Sequence, residues 1–212
     1  MSIPPPSISL EQGPGGLELR ITGDRPGQGV RAGFEVESTQ GHPLAKLIRG
    51  CPGPVVDATA GLGGDTGVLA ALGREVLAIE RSEILFSLLE EARDRLADPG
   101  LQSRIQLMAG DAVEHLSRLP EPFQSPAAII LDPMYPPRRR RSALPPKSMQ
   151  ALRLLHANQP ETDLGPLVRA AFSAGPKRVL LKRPPEAKPL LERMPTFSVE
   201  TKLVRWDAWE LG

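Results

Sequence analysis

Cysteine is nearly missing from this sequence: Cys51 stands alone. That excludes an intramolecular disulfide framework and a multi-cysteine metal site, and it suits a reducing compartment. Histidine is scarce as well. His42, His115 and His156 are scattered without ligand spacing, so no metal is expected. No apolar run reaches the ~18 residues of a membrane span, and MSIPPPSISLEQGPGG has no basic segment leading into an apolar one, which predicts a soluble, cytoplasmic protein. Nor is there an excess of either charge. Against 26 Lys and Arg stand 25 Asp and Glu, for a net charge of +1, so a nucleic acid would have to be met by a local basic patch and not by a global field. Proline is the residue in surplus, with 24 copies, mostly in loop-like places where it lowers the entropy of the unfolded chain.

The 212 residues suffice for one domain with an appendage. Residues 1–16 read as loose. LELRITG and VRAGFEVE alternate as two short strands around GDRPGQG, a hairpin within an N-terminal extension spanning 1–40. HPLAKLIRG then reads as a short helix stopped at Gly50. Residues 41–212 alternate strand and helix: VVDATAG, REVLAIE, RIQLMAG, AAIILDP and KRVLLKRPP are strand-like. GDTGVLAALG, SEILFSLLEEARDRL, DAVEHLSRL, SMQALRLLHA, DLGPLVRAAFSAG and EAKPLLERM are helix-like, the second with Ser82 as cap. AAIILDP is apolar throughout, as a strand covered on both faces should be. The closing runs FSVETK and LVRWDAWELG are so near each other in sequence that they must pair antiparallel. A mostly parallel α/β sheet finished by such a hairpin is the pattern of Rossmann-like class I methyltransferases and not of ordinary dehydrogenases.

DATAGLGGD, Asp57 to Asp65, follows a strand and opens a helix, the setting in which a glycine-rich turn binds a ligand. Gly61, Gly63 and Gly64 supply the turn. Glu80 ends the next strand, 19 residues after Gly61, where an acid can accept from both ribose hydroxyls. Asp111, followed by Ala112, closes the third strand, where a carboxylate can take the exocyclic amine of adenine. An adenosine-bearing ligand suits all three strand ends. Asp57 and Asp65 bracket the turn with no basic residue nearby before Arg74; carboxylates repel a pyrophosphate but favour an ammonium and tolerate a sulfonium. The residues therefore favour S-adenosyl-L-methionine over NAD.

At the end of the fourth strand stands Asp132-Pro133-Met134-Tyr135, which resembles the Asn/Asp-Pro-Pro-Tyr motif of methyltransferases acting on exocyclic amines of bases. An aryl amine is a poor nucleophile because its lone pair is delocalised. Asp132 and the Pro133 carbonyl can accept its two N–H bonds while Tyr135 stacks on the base. Arg138, Arg139, Arg140 and Arg141 follow at once. With Lys147, Lys182 and Arg183 they are expected to form a basic rim that holds RNA phosphates.

LELR, VVDATAGLGGD, AIER, RIQLMAGD, LDPMYPP followed by SAL and Lys147, and KRVLLKRPP together resemble the bacterial small-subunit (16S) ribosomal RNA guanine-N2 methyltransferases of the RsmJ type, over most of the chain from Leu17 to Pro185. The resemblance implies cofactor contact from Gly64, Asp65, Glu80, Arg81, Asp111 and Ala112, with Asp132 at the boundary between cofactor and substrate. It also implies ribosomal RNA or the small subunit as partner. The chain departs from that family in having only STQGHPLAKLIRG where an Arg- and Gly-rich stretch is usual, so part of the expected RNA surface is missing. Two other readings stay open: an amino-methyltransferase of another RNA, DNA or a protein amide, and an RNA-binding assembly factor without turnover.

Overall fold

The computed structural model describes residues 6–134, 144–157, 163–187, 190, 193–201 and 203–211. The chain begins with β1 (Ile8–Gly13) and β2 (Gly16–Ile21), an antiparallel hairpin in which Gly13 faces Gly16 across the Pro14-Gly15 turn. The hairpin thus lies one segment earlier than the alternation implied, and uses residues read as loose. VRAGFEVE joins it only through a single bridge from Leu19 to Val30. Its alternation reports burial of Ala32 and Phe34 against the domain, not pairing with a strand. A Cβ on Gly67 would lie 2.3 Å from the Phe34 carbonyl oxygen, so this segment rests directly on a helix backbone.

After α1 (Pro43–Leu47) come β3 (Val55–Asp57), α2 (Gly64–Ala71), β4 (Val76–Glu80), α3 (Glu83–Asp94), α4 (Pro99–Ser103), β5 (Ile105–Ala109), α5 (Ala112–His115) and β6 (Ala128–Leu131). Next are α6 (Lys147–Leu155), α7 (Gly165–Ser173), β7 (Arg178–Arg183), β8 (Phe197–Glu200) and β9 (Arg205–Glu210). Among the described residues, seven strands form one sheet in the order β5-β4-β3-β6-β7-β9-β8. The first five in that order are parallel; β9 runs antiparallel to both β7 and β8. This is the expected parallel sheet with its antiparallel C-terminal hairpin. The short helix expected over EAKPLLERM falls partly outside the described residues, and those described there are not helical.

Strand periodicity divides the core between two faces. Val55, Ala78, Ile130 and Leu180 pack with α2, α3 and the N-terminal segment, whereas Val56, Leu77, Ile129 and Val179 pack with α5, α7 and Trp209. Ser82 caps α3 as expected, its Oγ accepting from the Leu85 N–H at 3.4 Å, and Leu85, Leu88, Leu89 and Ala92 form the buried stripe. No helix among the described residues is long and apolar enough to cross a membrane.

The LELR segment of β2 organises the loop that follows it. Glu18 is 1% exposed, and its carboxylate accepts from the N–H groups of Gly27 (2.9 Å) and Gly29 (3.3 Å) and from Arg20 Nε (2.5 Å). Desolvation opposes its ionisation, but these donors outweigh it and hold Glu18 below the usual carboxylate range. At the far side of the loop Lys147, the first residue of α6, donates to Asp24 Oδ1 at 2.6 Å and to the Gln28 carbonyl at 2.5 Å. Lys147 is therefore a clasp between α6 and the N-terminal extension. Expected as a free phosphate contact, it is instead paired with Asp24.

Candidate active site

The strand order reverses between β3 and β6, and the crevice outside their C-terminal ends is where open α/β sheets bind ligands. A cavity of about 790 Å³ lies there. One wall comes from the turn after β3. Gly61 has φ 57°, and its N–H donates to Glu80 Oε2 at 2.9 Å, while the Ser82 N–H donates to Oε1 at 2.8 Å. Glu80 is thus held from both sides at the tip of β4. Burial raises its pKa, opposed by the Ser82 and Gly61 N–H groups. At the end of β5, Asp111 Oδ1 accepts from the Val113 N–H at 2.8 Å and caps α5.

Gly61, Gly64, Asp65, Glu80, Arg81, Asp111, Ala112, Asp132, Pro133, Lys182 and Arg183 all line the cavity. Asp57 and Gly63 do not. Asp57 is 1% exposed: its Oδ2 accepts from Thr66 Oγ1 at 2.6 Å and its Oδ1 from the Thr59 N–H at 3.2 Å. It is the internal brace of the turn, not a ligand contact, because both oxygens face the protein. Burial, with added repulsion from Asp65 and Asp132, pushes its pKa up to about 7. Gly63, at φ 86°, is a packing glycine: a Cβ there would meet the Phe34 ring at 2.7 Å.

The charged residues of β7 also differ from expectation. Lys182 does not reach outward to a phosphate; its Nζ donates to Asp132 Oδ2 at 2.7 Å and Asp65 Oδ2 at 3.1 Å. Desolvation would lower its pKa, but the two carboxylates outweigh it and raise it. Arg183, 4% exposed, is paired with Asp207 Oδ2 at 3.1 Å, a buried partner on β9. Tyr135 and Arg138 to Arg141 lie outside the described residues.

Asp132 follows β6, and its N–H donates to Thr59 Oγ1 at 2.6 Å, tying the loop after β6 to the loop after β3. Its side chain is 38% exposed. Partial desolvation at the cavity wall raises its pKa; Lys182 opposes and Asp65 adds to the shift. Oδ1 of Asp132 has no partner among the described residues. Further walls come from α6, through Met149, Leu152, Arg153 and His156, from Pro166 and Leu167 of α7, and from Leu203 and Val204. Sequence reasoning missed these walls and Thr59. The amphipathic repeat of α6 carried a signal for a packed face, but none for what that face covers.

A family model for SAM-dependent methyltransferases matches residues 30–210. The chain belongs to that family. Among its relatives, the protein named ribosomal RNA small subunit methyltransferase J from Aeromonas salmonicida is 40% identical over 181 residues, 82% of this chain and 70% of the relative. The protein of the same name from Alkalilimnicola ehrlichii is 36% identical over 224 residues, covering 96% of this chain and 83% of the relative. These relatives bear out the RsmJ-type resemblance. The crystal structure of a SAM-dependent methyltransferase from Neisseria gonorrhoeae superposes with a TM-score of 0.71 at 28% identity, over 99% of this chain and 85% of that one.

The cofactor of this family is S-adenosyl-L-methionine, and the donor set fits it. Glu80 and Asp111 both line the cavity, where their carboxylates would suit a vicinal diol and an adenine amine. Asp65 lies in the first turn of α2, and its carboxylate, shared with Lys182, would suit an ammonium. The nearest cation of this corner, Lys182, is already committed to carboxylates, which leaves it poorly disposed toward a pyrophosphate.

Proposed function

We propose that the protein transfers a methyl group to the exocyclic N2 amine of a guanine in small-subunit ribosomal RNA, in the cytoplasm. The observation that carries this reading is the position of Asp132-Pro133, which opens onto the same cavity as Glu80 and Asp65. The relatives' name, ribosomal RNA small subunit methyltransferase J, supports the substrate class. In this reading Gly61, Gly64, Asp65, Glu80, Arg81, Asp111 and Ala112 hold the cofactor. Residues 41–212 form the catalytic domain, and residues 1–40 form a cap clasped to it by the Lys147–Asp24 pair.

When bound, S-adenosylmethionine would supply an electrophilic methyl on a sulfonium that leaves as a neutral thioether. Asp132 Oδ1 and the Pro133 carbonyl accept the two N–H bonds of the amine. That draws the nitrogen lone pair out of conjugation with the ring and holds it in line for attack. The proton lost from nitrogen passes first to Asp132 Oδ1 and then to solvent. Tyr135, next in sequence to Met134, stacks on the base, and Arg138 to Arg141 meet the flanking phosphates. With Lys147, Lys182 and Arg183 engaged inside the protein, the arginine run carries the phosphate contact of the expected basic rim.

Mass spectrometry of nuclease-digested small-subunit RNA, with and without this gene, tests the reading. Loss of one N2-methylguanine on deletion, restored by the wild-type gene and not by Asp132→Ala, is expected. An unchanged guanine methylation profile would overturn it.

A further inference from the structure

Lys182 lies where a carboxylate of the cofactor side meets one of the substrate side. It faces Trp206 across the antiparallel β7–β9 pair, with its ammonium 5.3 Å from the centre of that ring. Trp206 is 1% exposed, so the platform beneath the ammonium is fixed by packing. The ammonium bridges Asp132 Oδ2 at 2.7 Å and Asp65 Oδ2 at 3.1 Å.

We infer that Lys182 is a positioning residue for methyl transfer, which keeps Asp132 ionised and turned so that Oδ2 is occupied and Oδ1 is left for the amine. This rests on the reading of Asp132 given above. The surrounding charges make the ammonium necessary. From α2 Asp65 faces the pair, from β3 Asp57 lies behind the turn and repels both carboxylates once it is ionised, and from β4 Glu80 lines the same cavity. On β7 and β9 the neighbouring cations are taken: Arg183 pairs with Asp207 at 3.1 Å and Arg205 Nε with the same carboxylate at 2.9 Å. Arg81, Arg153 and His156 belong to the walls made by β4 and α6. Without Lys182, Asp65 and Asp132 become like charges sharing one corner, and the lower-energy state places a proton on one of them. A protonated Asp132 accepts an amine N–H weakly and cannot take its proton.

The test is single-turnover methyl transfer to small-subunit ribosomal RNA at saturating cofactor, from about pH 5 to about pH 10, for wild type, Lys182→Met, Lys182→Gln and Lys182→Arg. In both neutral variants the acid limb is expected to move up by roughly one to three pH units, with the rate recovering toward wild type at the alkaline end. Lys182→Arg keeps the charge and is expected to keep the wild-type limb. Carbon-13 NMR of the Asp132 carboxyl in the cofactor-free protein, assigned with Asp132→Asn, should show its midpoint displaced upward in the same two variants. Met and Gln differ in polarity, so a folding defect in one leaves the other to decide. A loss of rate uniform across pH, or an unmoved Asp132 midpoint, overturns the inference while the amine-methylation reading stands. If wild type transfers no methyl to guanine, that reading itself fails and takes the inference with it.

Discussion

The Asp132 N–H donates to Thr59 Oγ1 at 2.6 Å across 73 residues of sequence, so the residue proposed to hold the amine is latched to the turn proposed to hold the cofactor. Thr59→Val keeps the shape and removes the acceptor. Single-turnover methyl transfer should fall about tenfold, on the scale of ~1.4 kcal/mol for one partly buried hydrogen bond. Asp132→Ala should fall about a hundredfold or more, by analogy with other oriented groups that matter chiefly in the transition state. A Thr59→Val rate equal to wild type would show that the latch does not position Asp132.

Glu80 has both carboxylate oxygens placed by backbone N–H groups at 2.9 and 2.8 Å, which fixes its orientation toward the cavity. Glu80→Ala should weaken S-adenosylmethionine by about 1.5–3 kcal/mol through loss of a charged acceptor. Isothermal calorimetry is the check. Equal affinities would remove Glu80 from the cofactor site.

Asp57 makes stability depend on pH. Its folded pKa of about 7 stands above the unfolded value of about 4, so between those two values the folded state keeps a proton that the unfolded chain has lost. Stability should therefore fall as pH rises from about 4 to about 7 and level off above, by on the order of 4 kcal/mol as an upper bound. Urea denaturation across that window should show a smaller slope for Asp57→Asn than for wild type. Identical slopes would mean that Asp57 stays ionised in the folded protein.

Gly67 lies under the extended segment that carries Phe34. A Cβ at this position would be 2.3 Å from the Phe34 carbonyl oxygen and 2.7 Å from its carbonyl carbon, and backbone atoms on both sides leave no flexible group to yield. Gly67→Ala should cost about 2 kcal/mol or more despite the better helix propensity of alanine. Thermal denaturation reads this directly; a melting temperature at or above wild type would contradict the close approach.

Phosphate contacts made by the arginine run would show in the salt dependence of binding. Neutralising Arg138 to Arg141 should lower the slope of log affinity for single-stranded RNA against log salt by about 0.7 for each phosphate that the run neutralises in the wild type. Cofactor affinity should stay the same. An unaltered slope would mark the run as a solvated face.

Much of the fold was legible because its signals are local. The central parallel strands β3 and β6 are buried on both faces, so Val55–Asp57 and Ala128–Leu131 read as parts of unbroken buried strands, and α3 shows its buried stripe at helical spacing. Glu80 was legible for the same reason: one strand-turn-helix-strand unit brings it back to Gly61 within 19 residues. The hairpin was misplaced because alternation records which face is buried, and a segment can bury Ala32 and Phe34 against a helix without pairing to a strand.

What only the tertiary structure decided is the fate of the charges. Lys182 finds Asp132 at a separation of 50 residues and Asp65 at 117, Lys147 finds Asp24 at 123, and Arg183 finds Asp207 at 24. In sequence each is one more basic residue near a ligand motif. Pairing depends on which strand ends the sheet order makes neighbours, and β7 stands beside β6 and β9 only once the chain has crossed over. A charge is visible in a sequence, but its partner is set by distance in space, which turned three expected phosphate-binding side chains into members of internal ion pairs and put one of them at the proposed reaction centre.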